Sequence, residues 1–315
     1  MEKRRVNIVF AALVVAFAAV VFSGCNEKPD TSSNNNIVKT AKSSKKTDGT
    51  VLLLMGTNNK FWNQIVTGAE MEAVKHNLRT VTVFRQTDES NATLVNSLND
   101  LDSYGNLRGI VIAGGDESLE KVISTKNPSV PIVFVDQMPS ETSAVRNMKH
   151  SSVVPDNIAL GKALAGKIDG KVITLRYTIG ATYDRVEGIK MAKGNDNVID
   201  ITASMAEDLF TNFRQRIQKG TQFDGVIITT GDVIEDRLID LVPNKPVCCV
   251  DMNANVARFI RSGALLCSAI PDTYEMGAKA VNQVLSTDST ATVPVPVIWV
   301  DRTNVDSDEI KKFLR

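Results

Sequence analysis

From Val51 to Val300 the chain repeats one alternation: a short apolar run, a polar cluster, then a longer stretch with apolar residues every three or four positions. VLLLM (51–55), GIVIA (109–113), PIVFV (131–135), GVIIT (225–229) and VCCV (247–250) show no polar face. Each must therefore be buried on both sides, which in sheets means parallel strands covered by helices. The intervening stretches carry the helical period. Trp62, Ile65, Ala69 and Ala73 fall on one face, and Leu94, Leu98 and Leu101 on another. The spacing predicts helices over 92–104 and 232–241 and a strand over 264–269. One series of units ends near Asp136 and a second begins near Pro155, so the pattern predicts α/β architecture in two lobes.

The strands share a second property. Those ending at Met55, Ala113, Val135, Thr229 and Val250 each run into glycine or polar residues: Gly56–Asn59, Gly114–Asp116, Asp136–Gln137, Gly231–Asp232 and Asp251–Asn253. In a parallel sheet these ends lie along one edge, the edge where α/β proteins hold ligands. If the two sheets face each other by those edges, the clusters line one cleft. Gly114 and Gly115 would leave room there, or let backbone N–H groups reach a ligand.

The first residues read as an export signal. Lys3, Arg4 and Arg5 precede an apolar run from Ile8 to Phe22, then Ser23-Gly24-Cys25. At about 15 residues the run is short for a bilayer span, which needs about 20. VFSGC resembles a bacterial lipobox, in which the cysteine becomes the lipidated first residue; Phe22 stands where leucine is usual. Asn26 to Asp48 is rich in Asn, Ser, Thr and Lys and reads as a disordered tether. The expected division is thus 1–24 signal peptide and 25–49 lipidated Cys25 with its tether. The chain would be exported and lipid-anchored in the cell envelope, in the periplasm or on the outer face of the cytoplasmic membrane.

Composition excludes some roles. With 36 basic and 36 acidic residues there is no basic excess to hold nucleic acid. A signal and a tether, rather than a helix-turn-helix, precede the lobes. Cys248 and Cys249 are strand neighbours pointing to opposite faces. Pairing of either with Cys267 or three buried free thiols are both compatible with the sequence, and no spacing calls for a metal. His76 and His150 fall among polar residues and read as solvated. No nucleophile elbow, zinc motif or phosphate loop occurs. An acid–base pair of Asp136 and Asp251 is the one enzymatic reading, and it is disfavoured. No cofactor is expected.

Several stretches together carry a family likeness: TNNKFW (57–62), GIVIAGGDES (109–118), VPIVFVDQ (130–137), PDNIALGKALAG (155–166), ATYDRVEGIK (181–190), VCCVDMN (247–253) and TYEMGAKAVNQVL (273–285). In this order the chain resembles, over residues 50–302, the type I periplasmic solute-binding proteins of the ribose- and galactose-binding branch, whose fold the lactose-repressor effector domain shares. The resemblance implies two Rossmann-like lobes with parallel sheets flanked by helices. Three hinge crossovers near 152–155, 270–272 and 292–296 would join them, with the ligand cleft between. The N-terminal lobe would comprise 50–153 plus 272–293, and the C-terminal lobe 156–270 plus 297–315. It further implies a monomer that closes on a small ligand and docks on ABC permease subunits, without an enzymatic step. Presentation of the ligand to a chemoreceptor or histidine kinase is the alternative.

A sugar presents hydroxyls around its edge and C–H patches on its faces, so its site needs charged hydrogen-bonding groups and aromatic rings. Phe61 and Trp62 match the family's stacking pair, although Trp62 also opens the buried helix face. Asn59 matches their polar partner. Asp136 and Asp251 end apolar strands, where a carboxylate without a role is costly. Arg185 matches the family's arginine, and its planar fork suits hydroxyls or a carboxylate. Gln137 stands where ribose binders commonly have arginine, Gly231 where they have asparagine and Pro271 where they have glutamine, so the ligand is expected to be a sugar or sugar-like molecule other than ribose.

Overall fold

The computed structural model describes residues 37–39, 47–86, 90–178, 180–288 and 290–314. The signal segment and Cys25 lie outside the described residues. Within the stretch read as a tether, Ile37–Lys39 (β1) lies antiparallel along Leu78–Arg85 (β3). Gly49–Thr57 (β2) sits near the middle of the first sheet, and its side chains feed two separate cores. Val51, Leu53 and Met55 point to one face and Leu52 and Leu54 to the other, all fully buried. This is why the run could not spare a polar residue.

The first sheet continues with Leu107–Ala113 (β4), Ile132–Val135 (β5), Ser151–Pro155 (β6) and Thr292–Val295 (β12), in the order β1-β3-β2-β4-β5-β6-β12. The second holds Val172–Tyr177 (β7), Val198–Ala203 (β8), Gly225–Ile228 (β9), Val247–Val250 (β10), Cys267–Pro271 (β11) and Val297–Val300 (β13), in the order β13-β11-β10-β9-β7-β8. Five strands of each sheet repeat one order: β3-β2-β4-β5-β6 corresponds to β8-β7-β9-β10-β11. Among the described residues only β1 with β3 and β13 with β11 pair antiparallel. The chain passes between the sheets after β6, β11 and β12.

The helices after the first two passages are held by reciprocal glycines. Lys60–Lys75 (α1) follows β2, and Thr273–Leu285 (α9) returns from the second sheet to pack on it. A β-carbon on Gly68 would stand 2.0 Å from the Tyr274 carbonyl oxygen, and one on Gly277 1.9 Å from that of Ile65. In the other lobe Asn157–Ala165 (α4) packs on Gly180–Lys193 (α5) in the same way. There Gly161 meets the Arg185 carbonyl at 2.0 Å and Gly188 that of Ile158 at 2.1 Å. Both contacts are backbone on backbone, and no side chain can be inserted.

Local boundaries differ from the sequence pattern in three places. Ala92–Asn99 (α2) stops at Asp100, and Leu101–Tyr104 is a separate 3₁₀ turn. The stretch 232–241 is not one helix: a 3₁₀ turn over Gly231–Val233 precedes Asp236–Ile239 (α7), numbered after Glu117–Lys126 (α3) and Ala206–Gln218 (α6). Val233 and Ile234 are both buried, which the extended backbone at Ile234 and Glu235 allows. β11 starts at Cys267 rather than 264, because Gly263, left-handed at φ 82°, ends Ala254–Ser262 (α8) and the Leu265 N–H turns back to the Phe259 carbonyl at 3.0 Å. Beyond β13, Asp308–Lys311 (α10) leads into a last turn over Lys312–Leu314.

β10 and β11 bring Cys248 beside Cys267, their sulfurs 3.4 Å apart, and Cys249 beside Ser268. All three cysteines are buried free thiols. His76 is half exposed and lies 3.4 Å from Glu72, while His150 packs edge-on against Phe134.

Candidate functional site

A cavity of about 300 Å³ lies where the carboxyl edges of the two sheets meet. Its lining includes Asn59, Phe61, Trp62, Asp136, Gln137, Arg185 and Asp251, so the structure brings all seven side chains proposed from the sequence together.

The two aspartates are built alike. Asp136 follows β5 and Asp251 follows β10, the equivalent strand. Both adopt left-handed backbone, φ 69° and φ 72°, a conformation costly to most L-residues and tolerated by Asp and Asn. The Asp136 N–H donates to the Val153 carbonyl at 3.2 Å and the Asp251 N–H to that of Ala269 at 3.0 Å. This turn ends each strand and aims the carboxylate into the cavity. Strain at two matched positions marks a site rather than a packing detail.

Arg185 rises from α5 and is 5% exposed. Its Nε donates to Asn157 Oδ1 at 2.9 Å and its Nη1 to the Thr229 carbonyl at 2.7 Å. Nε and Nη1 thus fix the guanidinium on the protein, and its charge also acts on the carboxylates as a field. Burial raises the pKa of Asp136, against the pull of Arg185 and Gln137. Asp251 is raised to about 6, first by burial and then by Asp232 and Asp136, with Arg185 and the Gly231 N–H opposing. Burial also raises Asp232. Three carboxylates therefore share the cavity and repel one another.

On the opposite wall Asn59 caps α1, its side-chain oxygen accepting the Trp62 N–H at 3.1 Å. The cap fixes the first turn and with it the rings of Phe61 and Trp62, which meet edge to face at 5.0 Å. Trp62 packs on the first-lobe core and also lines the cavity. The indole fills the space beside Gly56, where a β-carbon would stand 2.1 Å from Nε1.

Gln137 explains Gly114 and Gly115. Neither glycine opens space for a ligand. A β-carbon on Gly114 would stand 1.9 Å from the Gln137 carbonyl oxygen, and one on Gly115 2.3 Å from Gln137 Oε1. The same Oε1 approaches Gly180 at the start of α5, at 2.4 Å from a β-carbon there. Gln137 thus reaches from one lobe to the other across the mouth, and its Nε2 lies 3.5 Å from Asp136 Oδ2.

Gln64, Thr273 and Phe313 are among the lining residues that escaped the sequence reading. Gln64 donates to the Phe313 carbonyl at 3.2 Å and accepts from Thr273 Oγ1 at 2.8 Å, joining α1, α9 and the last turn under the cavity. A buried glutamine on an apolar helix face was the only available signal, since its partners are 209 and 249 positions away.

No family model matches the chain, and neither does any curated protein. Solved structures do. The periplasmic ribose ABC transporter protein of Conexibacter woesei superposes with a TM-score of 0.71 at 17% identity, covering 82% of this chain and 94% of that one. The fold is that of the type I periplasmic solute-binding proteins. An ABC transporter solute-binding protein of Agrobacterium vitis bound with α-D-tagatopyranose gives 0.69 at 17%, covering 85% and 99%. A carbohydrate transporter solute-binding protein of Agrobacterium radiobacter in complex with D-arabinose gives 0.67 at 18%, covering 86% and 100%. In this solute-binding fold the present cavity occupies the cleft between the lobes.

Proposed function

We propose that this chain is an extracytoplasmic solute-binding protein of an ABC importer, anchored through Cys25, that closes its two lobes on a sugar or sugar-like molecule. The observation that carries the reading is the cavity itself: Asp136 from one sheet edge, Asp251 and Arg185 from the other, and an aromatic pair above them. Carboxylates take hydroxyl hydrogens strongly and directionally, and rings cover C–H faces. Solved proteins of this fold hold D-arabinose, D-fucose, D-allose and tagatose. Asn59, Phe61, Trp62, Asp136 and Gln137 would contact the ligand from the first lobe, and Arg185 and Asp251 from the second.

A ligand that touches both walls favours the closed arrangement, because only there does it make both sets of contacts. In this reading the residues bind and orient the ligand. The test is a thermal-shift and calorimetric screen of monosaccharides, polyols and amino sugars, since a ligand bound only by the folded form raises the melting temperature. Asp136→Asn, which keeps a residue tolerant of the left-handed turn, and Arg185→Ala should each weaken the ligand found by about 50-fold or more, as loss of a buried charged partner costs about 2–5 kcal/mol. Affinity unchanged in both variants overturns the site, and an empty screen overturns the function.

A further inference from the structure

The end of the chain returns to the junction of the lobes. After β13 and α10 the last turn, Lys312–Leu314, packs its Phe313 ring into the second-lobe core, where it is 1% exposed. The backbone carbonyls of this turn face the first lobe. The Phe313 carbonyl accepts Gln64 Nε2 of α1 at 3.2 Å, and the Lys312 carbonyl accepts the Tyr274 hydroxyl of α9 at 3.1 Å. The Tyr274 and Phe313 rings meet at a centroid distance of 5.7 Å, so α9 also reaches the second-lobe core.

The turn is tied to the crossovers as well. Asp272 stands where the chain enters α9. Its N–H donates to the Pro296 carbonyl of the third passage at 2.9 Å, its Oδ1 accepts the Glu275 N–H at 3.0 Å, and its Oδ2 lies 3.2 Å from Lys312 Nζ. One residue therefore joins two of the passages to the end of the chain. Phe313 also lines the cavity, together with Gln64 and Thr273. The donors Gln64 and Tyr274 move with the first lobe, whereas the accepting carbonyls move with the ring anchored in the second. A rotation of one lobe against the other must stretch these bonds or pull Phe313 from its core, and a buried donor left without a partner is costly.

We propose that the C-terminal turn is an inter-lobe strut: its bonds to Gln64 and Tyr274 are made in the closed arrangement and favour it, so the end of the chain helps set how readily the cleft closes. Phe313 is then a positioning residue. Its ring holds the turn on the second lobe, and its carbonyl orients the Gln64 amide at the cavity wall. The strut rests on the two-lobe closure proposed above and acts whatever solute the cleft takes.

The experiment reads closure without a ligand. Gln137 and Gly180 face each other across the mouth, where Gln137 Oε1 stands 2.4 Å from a β-carbon placed on Gly180. In a Gln137→Cys, Gly180→Cys protein a short bis-alkylating reagent joins the two new thiols at a rate proportional to the closed population. Cys248, Cys249 and Cys267 are buried and do not compete. Adding Tyr274→Phe, which removes the hydroxyl and keeps the ring, should slow cross-linking about fivefold, the ratio that one neutral hydrogen bond supplies. Lys312→Met should slow it about twofold, because its ion pair with Asp272 is partly exposed. Melting curves verify that both variants fold. An unchanged or faster rate in Tyr274→Phe overturns the strut whatever happens to the melting temperature, since a merely structural contact would lower stability and leave closure alone. Failure of the sugar reading is detected separately, by the ligand screen.

Discussion

The two lobes share a scaffold and differ in chemistry. Each places five parallel strands in the same order, ends the fourth of them in a left-handed aspartate, and clamps a returning helix onto the first helix through reciprocal glycines. What the first helix presents to the cavity differs. α1 brings Phe61 and Trp62 behind a capped turn at the rim, whereas α5 brings Arg185, deeply buried and held by two hydrogen bonds. One wall therefore offers flat apolar surface, and the other offers a fixed field. The backbone geometry that creates the cleft is repeated, while the side chains that choose the ligand vary within it.

Three measurements bear on that contrast. The largest effect should come from the shared scaffold. Gly277→Ala in one lobe and Gly188→Ala in the other force a β-carbon against a carbonyl oxygen at 1.9 and 2.1 Å, and each should cost about 3 kcal/mol or more in chemical denaturation, overpacking being severe when backbone has to move. A large loss in one lobe alone would break the symmetry.

An intermediate effect should come from the charged wall. Asp251, raised from 3.8 to about 6, binds a proton more tightly when folded than when unfolded. Its contribution therefore favours the fold below about pH 4 and is lost as pH rises through about 6. Asp251→Asn should remove this slope and stabilise the unliganded protein at pH 7.5 by about 2 kcal/mol, read from melting curves between pH 4.5 and 8. An unaltered slope would remove Asp251 from the account. The smallest effect belongs to the aromatic wall: Phe61→Ala should weaken ligand binding by roughly 1 kcal/mol, the scale of one ring contact, with little change in stability. A loss of stability equal to the loss of affinity would make Phe61 a packing residue.

Much of this was legible in the chain. Residues 51–55 read as a strand buried on both faces, and the alternation of Leu52 and Leu54 with Val51, Leu53 and Met55 between two cores shows why. Asp136 and Asp251 stood out because a carboxylate at the end of an apolar strand needs a reason to be there. The N-terminal reading, from signal to Cys25, rests on sequence alone. Less legible were the breaks at Asp100 and Ile234, where the periodicity continues while the hydrogen bonding changes. The purpose of Gly114 and Gly115 was hidden as well, since it depends on where Gln137 lies.

By itself, then, the sequence determined two α/β units and the edge on which their polar groups gather, because burial and periodicity are local properties of a strand or helix. Only the tertiary structure decided that Arg185 is fixed by Asn157 and Thr229, that Gln137 crosses the mouth, and that Gln64 ties Thr273 to Phe313. Those arrangements join residues up to 249 positions apart, and no local preference encodes which distant partner a side chain will meet.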